Sequence, residues 1–170
     1  MTEPVRVVAV SAGESPFSKT RALLEPVVEE YGGQTIDLSQ LSADGLLGRT
    51  EDPDVAAAVA MAAGADVLVV ATPIYRATYT GALKAFFDRF PPGALRGTAV
   101  VLVATAAVRE HYLALDTGGR ALIASLEGHT VPTTVYATGD DFLDGVPGPE
   151  ILAVLRSAVH EAGRVAGANV

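Results

Sequence analysis

Residues 67–90, VLVVATPIYRATYTGALKAFFDRF, constrain the fold of this 170-residue chain more than any other segment. Residues 67–71 form an unbroken apolar run rich in Val, which reads as a strand buried on both faces. Thr72-Pro73 breaks the run, and a seven-residue turn from Ile74 to Thr80 follows. An amphipathic helix then begins near Gly81, with Leu83, Phe86, Phe87 and Phe90 at i, i+3, i+4 and i+7 before Pro91-Pro92 stops it. Strand, short loop and helix make the repeating unit of an open α/β sheet, and ligands bind in such sheets beyond the carboxyl ends of the strands. The loop carries Tyr75 and Tyr79 but no acid, Cys or His. It suits a planar ring held by backbone hydrogen bonds and flat contacts better than a hydrolytic centre.

The same alternation runs along the chain. Apolar runs at 5–10 and 99–104 read as further buried strands, and weaker strands are expected at 34–38 and 131–137. A helix begun near Ser18 places Leu24, Val27, Val28 and Tyr31 on one face, and Pro26 inside it removes one N–H and predicts a kink. In the second helix Asp52 suits the N-cap, Pro53 the first turn and Gly64 the C′ position. A fourth helix is expected over 117–126, ending at Gly128, and a last one from Pro149. Five strands in this pattern predict a single α/β domain over residues 1–170. It is a three-layer sandwich: a five-stranded parallel sheet of order 2-1-3-4-5, flavodoxin-like, with helices on both faces.

Composition narrows the function. Net charge is −8 with no Lys/Arg run, so no nucleic acid partner is expected. The chain has no Cys, which excludes disulfides and thiolate chemistry. His111, His129 and His160 lack ligand spacing, so no metal site is expected. Asp140, Asp141 and Asp144 read as a solvated acidic loop, with Mg²⁺ the minor alternative. With a strand beginning by Val5 and no 18-residue apolar run, neither leader nor membrane span is expected, and the expected location is cytoplasmic.

The first strand leads through Ser11-Ala-Gly-Glu-Ser-Pro-Phe-Ser-Lys-Thr20 into a helix. A helix N-terminus there offers free N–H groups and partial positive charge to an anion. Ser11, Ser15, Ser18 and Thr20 add hydroxyls and Lys19 adds a cation. The spacing matches neither G-x-G-x-x-G nor G-x-x-x-x-G-K-[ST], so a dinucleotide or nucleotide-hydrolysing loop is not indicated. A single terminal phosphate suits the loop. The plainer alternative is that Ser18 caps the helix and the other hydroxyls fill the loop.

Two segments together resemble the NADPH-dependent FMN reductase family, in particular reductases that serve two-component alkanesulfonate monooxygenases. Ser18-Lys19-Thr20 resembles that family's Ser-Arg-Ser/Thr phosphate motif. Ala71-Thr-Pro-Ile-Tyr-Arg-Ala-Thr-Tyr-Thr-Gly-Ala-Leu-Lys84 is similar to its long signature after the third strand. The similarity continues through His111-Tyr-Leu-Ala-Leu-Asp116. The loop Thr105-Ala-Ala-Val-Arg-Glu110 departs from the Gly-rich loop usual there, and Ala12-Gly13 stands where relatives often have Gly-Ser.

The resemblance implies a flavodoxin-like domain that binds FMN and takes hydride from NADPH or NADH. The phosphate would lie on Ser11, Ser18, Lys19 and Thr20. The ring would lie on Thr72, Pro73, Ile74, Tyr75 and Arg76, with Thr105 and Ala106 opposite and His111 near the ring or the nicotinamide. Arg76 and Arg109 flank the pocket and suit an NADPH phosphate, and are equally read as surface charge or a dimer salt bridge. Hydride transfer between stacked rings needs no side-chain nucleophile, so no catalytic residue is expected. The resemblance further implies a homodimer or homotetramer, to which an exposed edge of Phe86–Phe90 would contribute, and a flavin-dependent monooxygenase partner. A reductase that retains FMN and serves a quinone, azo dye or metal ion, and a non-enzymatic flavin carrier, remain as alternatives.

Overall fold

The computed structural model describes residues 5–15 and 17–167. A parallel sheet of order β2-β1-β3-β4-β5 forms the middle layer, as expected from the βα alternation. Its strands are β1 (Val7–Ser11), β2 (Gln34–Asp37), β3 (Val67–Pro73), β4 (Ala99–Thr105) and β5 (His129–Ala137). Every residue of β1, β3 and β4 is buried, which is why these strands read as continuous apolar runs rather than alternating ones. Val8 and Val10 of β1, Leu68 and Val70 of β3, and Val100 and Leu102 of β4 face one core. There they meet helices α3 (Pro53–Ala63), α4 (Gly81–Phe87) and α5 (Arg120–Ser125). The alternate residues, such as Val7, Val69 and Val101, face a second core under α1 (Lys19–Glu30) and α6 (Pro149–Val165).

Several boundaries differ from the expectation. The break at Thr72-Pro73 does not occur: β3 continues to Pro73, which pairs with Thr105. Pro is tolerated there because it is the last residue of the strand. Helix α1 does match, running from the Ser18 cap through Pro26 to Glu30 with Tyr31 as its C-cap. Gly64 is the C-cap of α3 at φ −85°, not a left-handed C′ residue. Helix α4 ends at Phe87, and two tighter turns, Arg89 N–H to Phe86 O and Phe90 N–H to Phe87 O, carry the chain to Phe90. The fourth helix expected over 117–126 is present, but its first part is wound as a π-helix. A π-turn at Leu115–Gly119 precedes α5, and the left-handed residue at its end is Glu127 (φ 64°), not Gly128. Gly128 serves close approach instead, since a Cβ there would lie 2.7 Å from Ile123 Cγ2 and 3.1 Å from Leu95 Cβ.

The expected apolar edge of Phe86–Phe90 is absent. All three rings are buried, with centroids 5.0–5.6 Å apart. Short elements without sequence signatures complete the fold: α2 (Ala43–Leu46) and an antiparallel pair, β6 (Phe142–Leu143) and β7 (Val146–Pro147). Asp141 is structural: its carboxylate accepts from Thr138 N (2.7 Å) and Thr138 Oγ1 (3.2 Å). Among the described residues no group of His, Cys, Asp or Glu is placed to hold a metal ion, and no helix is long and apolar enough to cross a membrane.

Candidate functional site

The loops leaving β1, β3 and β4 at their carboxyl ends enclose a cleft of about 350 Å³. It lies where the chain order reverses between β1 and β3, the position at which doubly wound sheets take ligands. Ser18, Lys19, Thr20, Pro73, Ile74, Tyr75, Thr105 and Ala106 all line it, joined by Gly13, Glu14, Ser15, Phe17 and Ala107. A larger groove of about 840 Å³ lies between the α2–α3 connection and the end of α4. It touches none of the strand-end loops, and the N-terminus of α3 beneath it is already occupied by Asp52 Oδ1, which accepts from Asp54 N (2.9 Å) and Val55 N (3.1 Å). The smaller cleft is the candidate site.

Its first wall is the start of α1. Ser18 is the N-cap, its Oγ accepting from Arg21 N at 3.4 Å, so capping and cleft lining fall on one side chain. Gly13 lies flush against it: a Cβ there would fall 1.8 Å from Ser18 Oγ and 2.7 Å from Ser18 Cβ. Ser11 at the end of β1 is buried and does not itself line the cleft, and its hydroxyl has no hydrogen-bond partner among the described residues. A glycine-lined loop, a helix start and an unpartnered buried hydroxyl together fit an anionic oxygen group. Lys19 holds its Nζ 5.4 Å from the centre of the Phe142 ring, a cation–π contact for which the sequence carried no signal.

The second wall is the turn after β3. Tyr75 and Thr78 exchange backbone hydrogen bonds of 3.0 and 3.2 Å around a two-residue turn. Its central residues, Arg76 (φ 53°) and Ala77 (φ 63°), are both left-handed, a conformation that costs non-glycine residues energy. Thr72 braces this loop from below: its hydroxyl accepts from Thr80 N (3.1 Å) and donates to Pro73 O (2.9 Å). Thr72 is buried and does not line the cleft. Ile74 N–H donates to Thr105 O at 2.8 Å, Tyr75 N–H is used within the turn, and Pro73 has none. Among the described residues, the N–H groups of Arg76 and Ala77 have no backbone acceptor in the protein.

The third wall is the end of β4. Thr105 Oγ1 lies 2.7 Å from Thr20 Oγ1, joining this wall to the first. Ala106 N–H donates to Ala137 O (2.9 Å), and Tyr136 Oη donates to Val108 O (2.6 Å). These bonds hold a loop that lacks the flexibility of glycine. Burial, with Glu110 adding to it, raises the Tyr136 hydroxyl above the ordinary tyrosine range. The remaining expected residues sit apart. Arg76 and Arg109 are exposed, His111 is half-buried in a turn at Arg109–His111, and none of the three lines the cleft.

Residues 5–142 match the family model described as NADPH-dependent FMN reductase. The chain is 36% identical over 151 residues to a protein named FMN reductase (NADPH) from Pseudomonas aeruginosa, covering 84% of this chain and 81% of the relative. It is 33% identical to NADH-dependent FMN reductase SfnF from Pseudomonas fluorescens, over 100% of this chain and 96% of the relative. Among solved structures, the apo form of an NADH:FMN oxidoreductase (EMOB) superposes with a TM-score of 0.83 at 33% identity, covering 93% of this chain and 88% of that one. With the doubly wound sheet and the three-walled cleft in place, these matches make the chain a member of the NADPH-dependent FMN reductase family.

Proposed function

We propose that the protein is an NAD(P)H:FMN oxidoreductase acting as one flavin-binding domain over residues 1–170. The observation that carries this reading is the cleft itself: a helix start and hydroxyls on one side, and a braced turn with free N–H groups on the other. Bound FMN supplies the hydride-accepting chemistry. The chain's part is to bind and orient. Ser18, Thr20 and the N–H groups opening α1 hold the phosphate, with Ser11 beneath them and Lys19 at the rim. Pro73, Ile74 and Tyr75 form the flat surface for the ring, Thr105 and Ala106 close the opposite side, and the N–H groups of Arg76 and Ala77 serve its polar edge. Thr72 positions this turn rather than touching the ring. The relatives are named for both NADH and NADPH, and either nicotinamide fits the reading.

Release of reduced FMN to a separate flavin-dependent monooxygenase follows from the resemblance to reductases of two-component alkanesulfonate systems, and a cytoplasmic location goes with it. A homodimer or homotetramer is supported by Val108, Tyr112 and Leu113, which are 45%, 57% and 50% exposed on the segment following the third wall. The test is oxidation of NADPH and of NADH at micromolar enzyme, with and without FMN, alongside the visible spectrum of the purified protein. A colourless protein whose turnover requires added FMN is the expected result. A yellow protein that turns over only with a quinone or dye would move it to the bound-flavin class. Flavin binding without nicotinamide oxidation would leave a carrier and refute the reductase reading.

A further inference from the structure

Glu14 is the feature of the cleft that its proposed chemistry does not use. Among the described residues lining the cleft, Glu14 is the only carboxylate and Lys19 the only cation. Both stand on the wall formed by the loop after β1 and the start of α1, one residue beyond Gly13 and one beyond Ser18. Arg21, the next cation along, is engaged elsewhere: Nη1 lies 3.2 Å from Asp37 Oδ2 and Nε 3.2 Å from Glu25 Oε1. Lys19 itself rests over the Phe142 ring. The anion-holding end therefore carries one charge of each sign, with its single ammonium shared with an aromatic face. Neutral donors, the helix-start N–H groups and the hydroxyls, are left to hold a group of charge near −2.

We propose that Glu14 is a specificity-determining residue that weakens the hold of this site on the flavin phosphate, so that FMN is exchanged rather than retained. This inference rests on the flavin reading above. The physical basis is like-charge repulsion across a solvent-open rim. The carboxylate raises the free energy of the phosphorylated flavin at the site and leaves a flavin without phosphate unaffected. Screening shortens its reach to about 8 Å at physiological salt.

The test is equilibrium binding of FMN and of riboflavin, read by quenching of flavin fluorescence, for the wild-type protein, Glu14→Gln and Lys19→Gln at low and at high salt. Glu14 is exposed, so the substitution leaves the core untouched. Glu14→Gln is expected to lower the FMN Kd roughly three- to tenfold at low salt, to lose most of that gain near 1 M salt, and to leave the riboflavin Kd unchanged. Lys19→Gln is expected to raise the FMN Kd with the same salt dependence. An FMN Kd unchanged in Glu14→Gln, or FMN and riboflavin shifting together, would overturn the proposal while leaving the flavin reading intact. Failure of the wild-type protein to bind either flavin would overturn both.

Discussion

The hydroxyl pair Thr20–Thr105 offers the sharpest test of how the cleft is held together. The two oxygens lie 2.7 Å apart, and the residues are 1% and 6% exposed. Each hydroxyl has the other as its partner. The substitution Thr105→Val keeps the shape but leaves the Thr20 hydroxyl buried and unpaired, at a cost of about 1–2 kcal/mol, and Thr20→Val does the same to Thr105. Replacing both removes the polar pair together and should be close to neutral. The double variant should therefore fall short of the sum of the singles by about 3 kcal/mol. Urea unfolding measures this. With a slope near 2 kcal/mol/M, each single variant should lower the midpoint by roughly 0.7 M and the double variant by far less, with the slope itself unchanged. Costs that simply add, to within about 0.5 kcal/mol, would refute the mutual pairing.

Ala77→Gly should raise stability by about 0.5–1 kcal/mol, because Ala77 is held at φ 63°; a melting temperature unchanged or lowered would count against this. Gly13→Ala places a Cβ 1.8 Å from Ser18 Oγ and 2.7 Å from Ser18 Cβ. The cap must move, at a cost of about 1 kcal/mol, and fluorescence titration should find FMN binding weakened more than tenfold. Tyr136 has its acidity lowered in the folded protein by burial, with Glu110 contributing. A raised pKa means the folded state holds the proton more tightly, so this contribution is intact below the ordinary tyrosine value of about 10 and is lost as pH rises through the folded value. Urea midpoints at pH 8 and pH 11 should therefore fall less in Tyr136→Phe than in the wild type, and an identical fall would sink the assignment.

The parts of the fold that were legible beforehand are those whose signal is local. Continuous apolar runs at β1, β3 and β4 require burial on both faces, which a sheet between two helix layers provides. Asp52-Pro53 and Gly148-Pro149 mark helix starts because capping is decided within one turn. Eight residues of the cleft were readable because they sit on three short segments next to strand ends. Ser11, Thr72, Arg76 and His111 do not line the cleft, because being near a strand end in sequence does not say which way a residue is turned. The expected interface at Phe86–Phe90 failed similarly, since an i, i+3, i+4, i+7 pattern marks an apolar face without saying what covers it.

The amino-acid sequence by itself determined the order of strands and helices, the burial of the central strands and two of the three loops that form the cleft, because each depends on periodicity or a cap within a few residues. Tertiary structure alone decided which polar groups those loops leave free. Thr20 is answered by Thr105, 85 positions away. Lys19 is drawn to Phe142, and the N–H of Ile74 is taken by Thr105. In β5 the register slips between Val100 and Leu102 of its neighbour, and Arg120 reaches 2.7 Å to both Val131 O and Pro132 O to satisfy the bulge. A hydrogen bond needs its partner within about 3 Å, and only packing brings residues so distant along the chain that close.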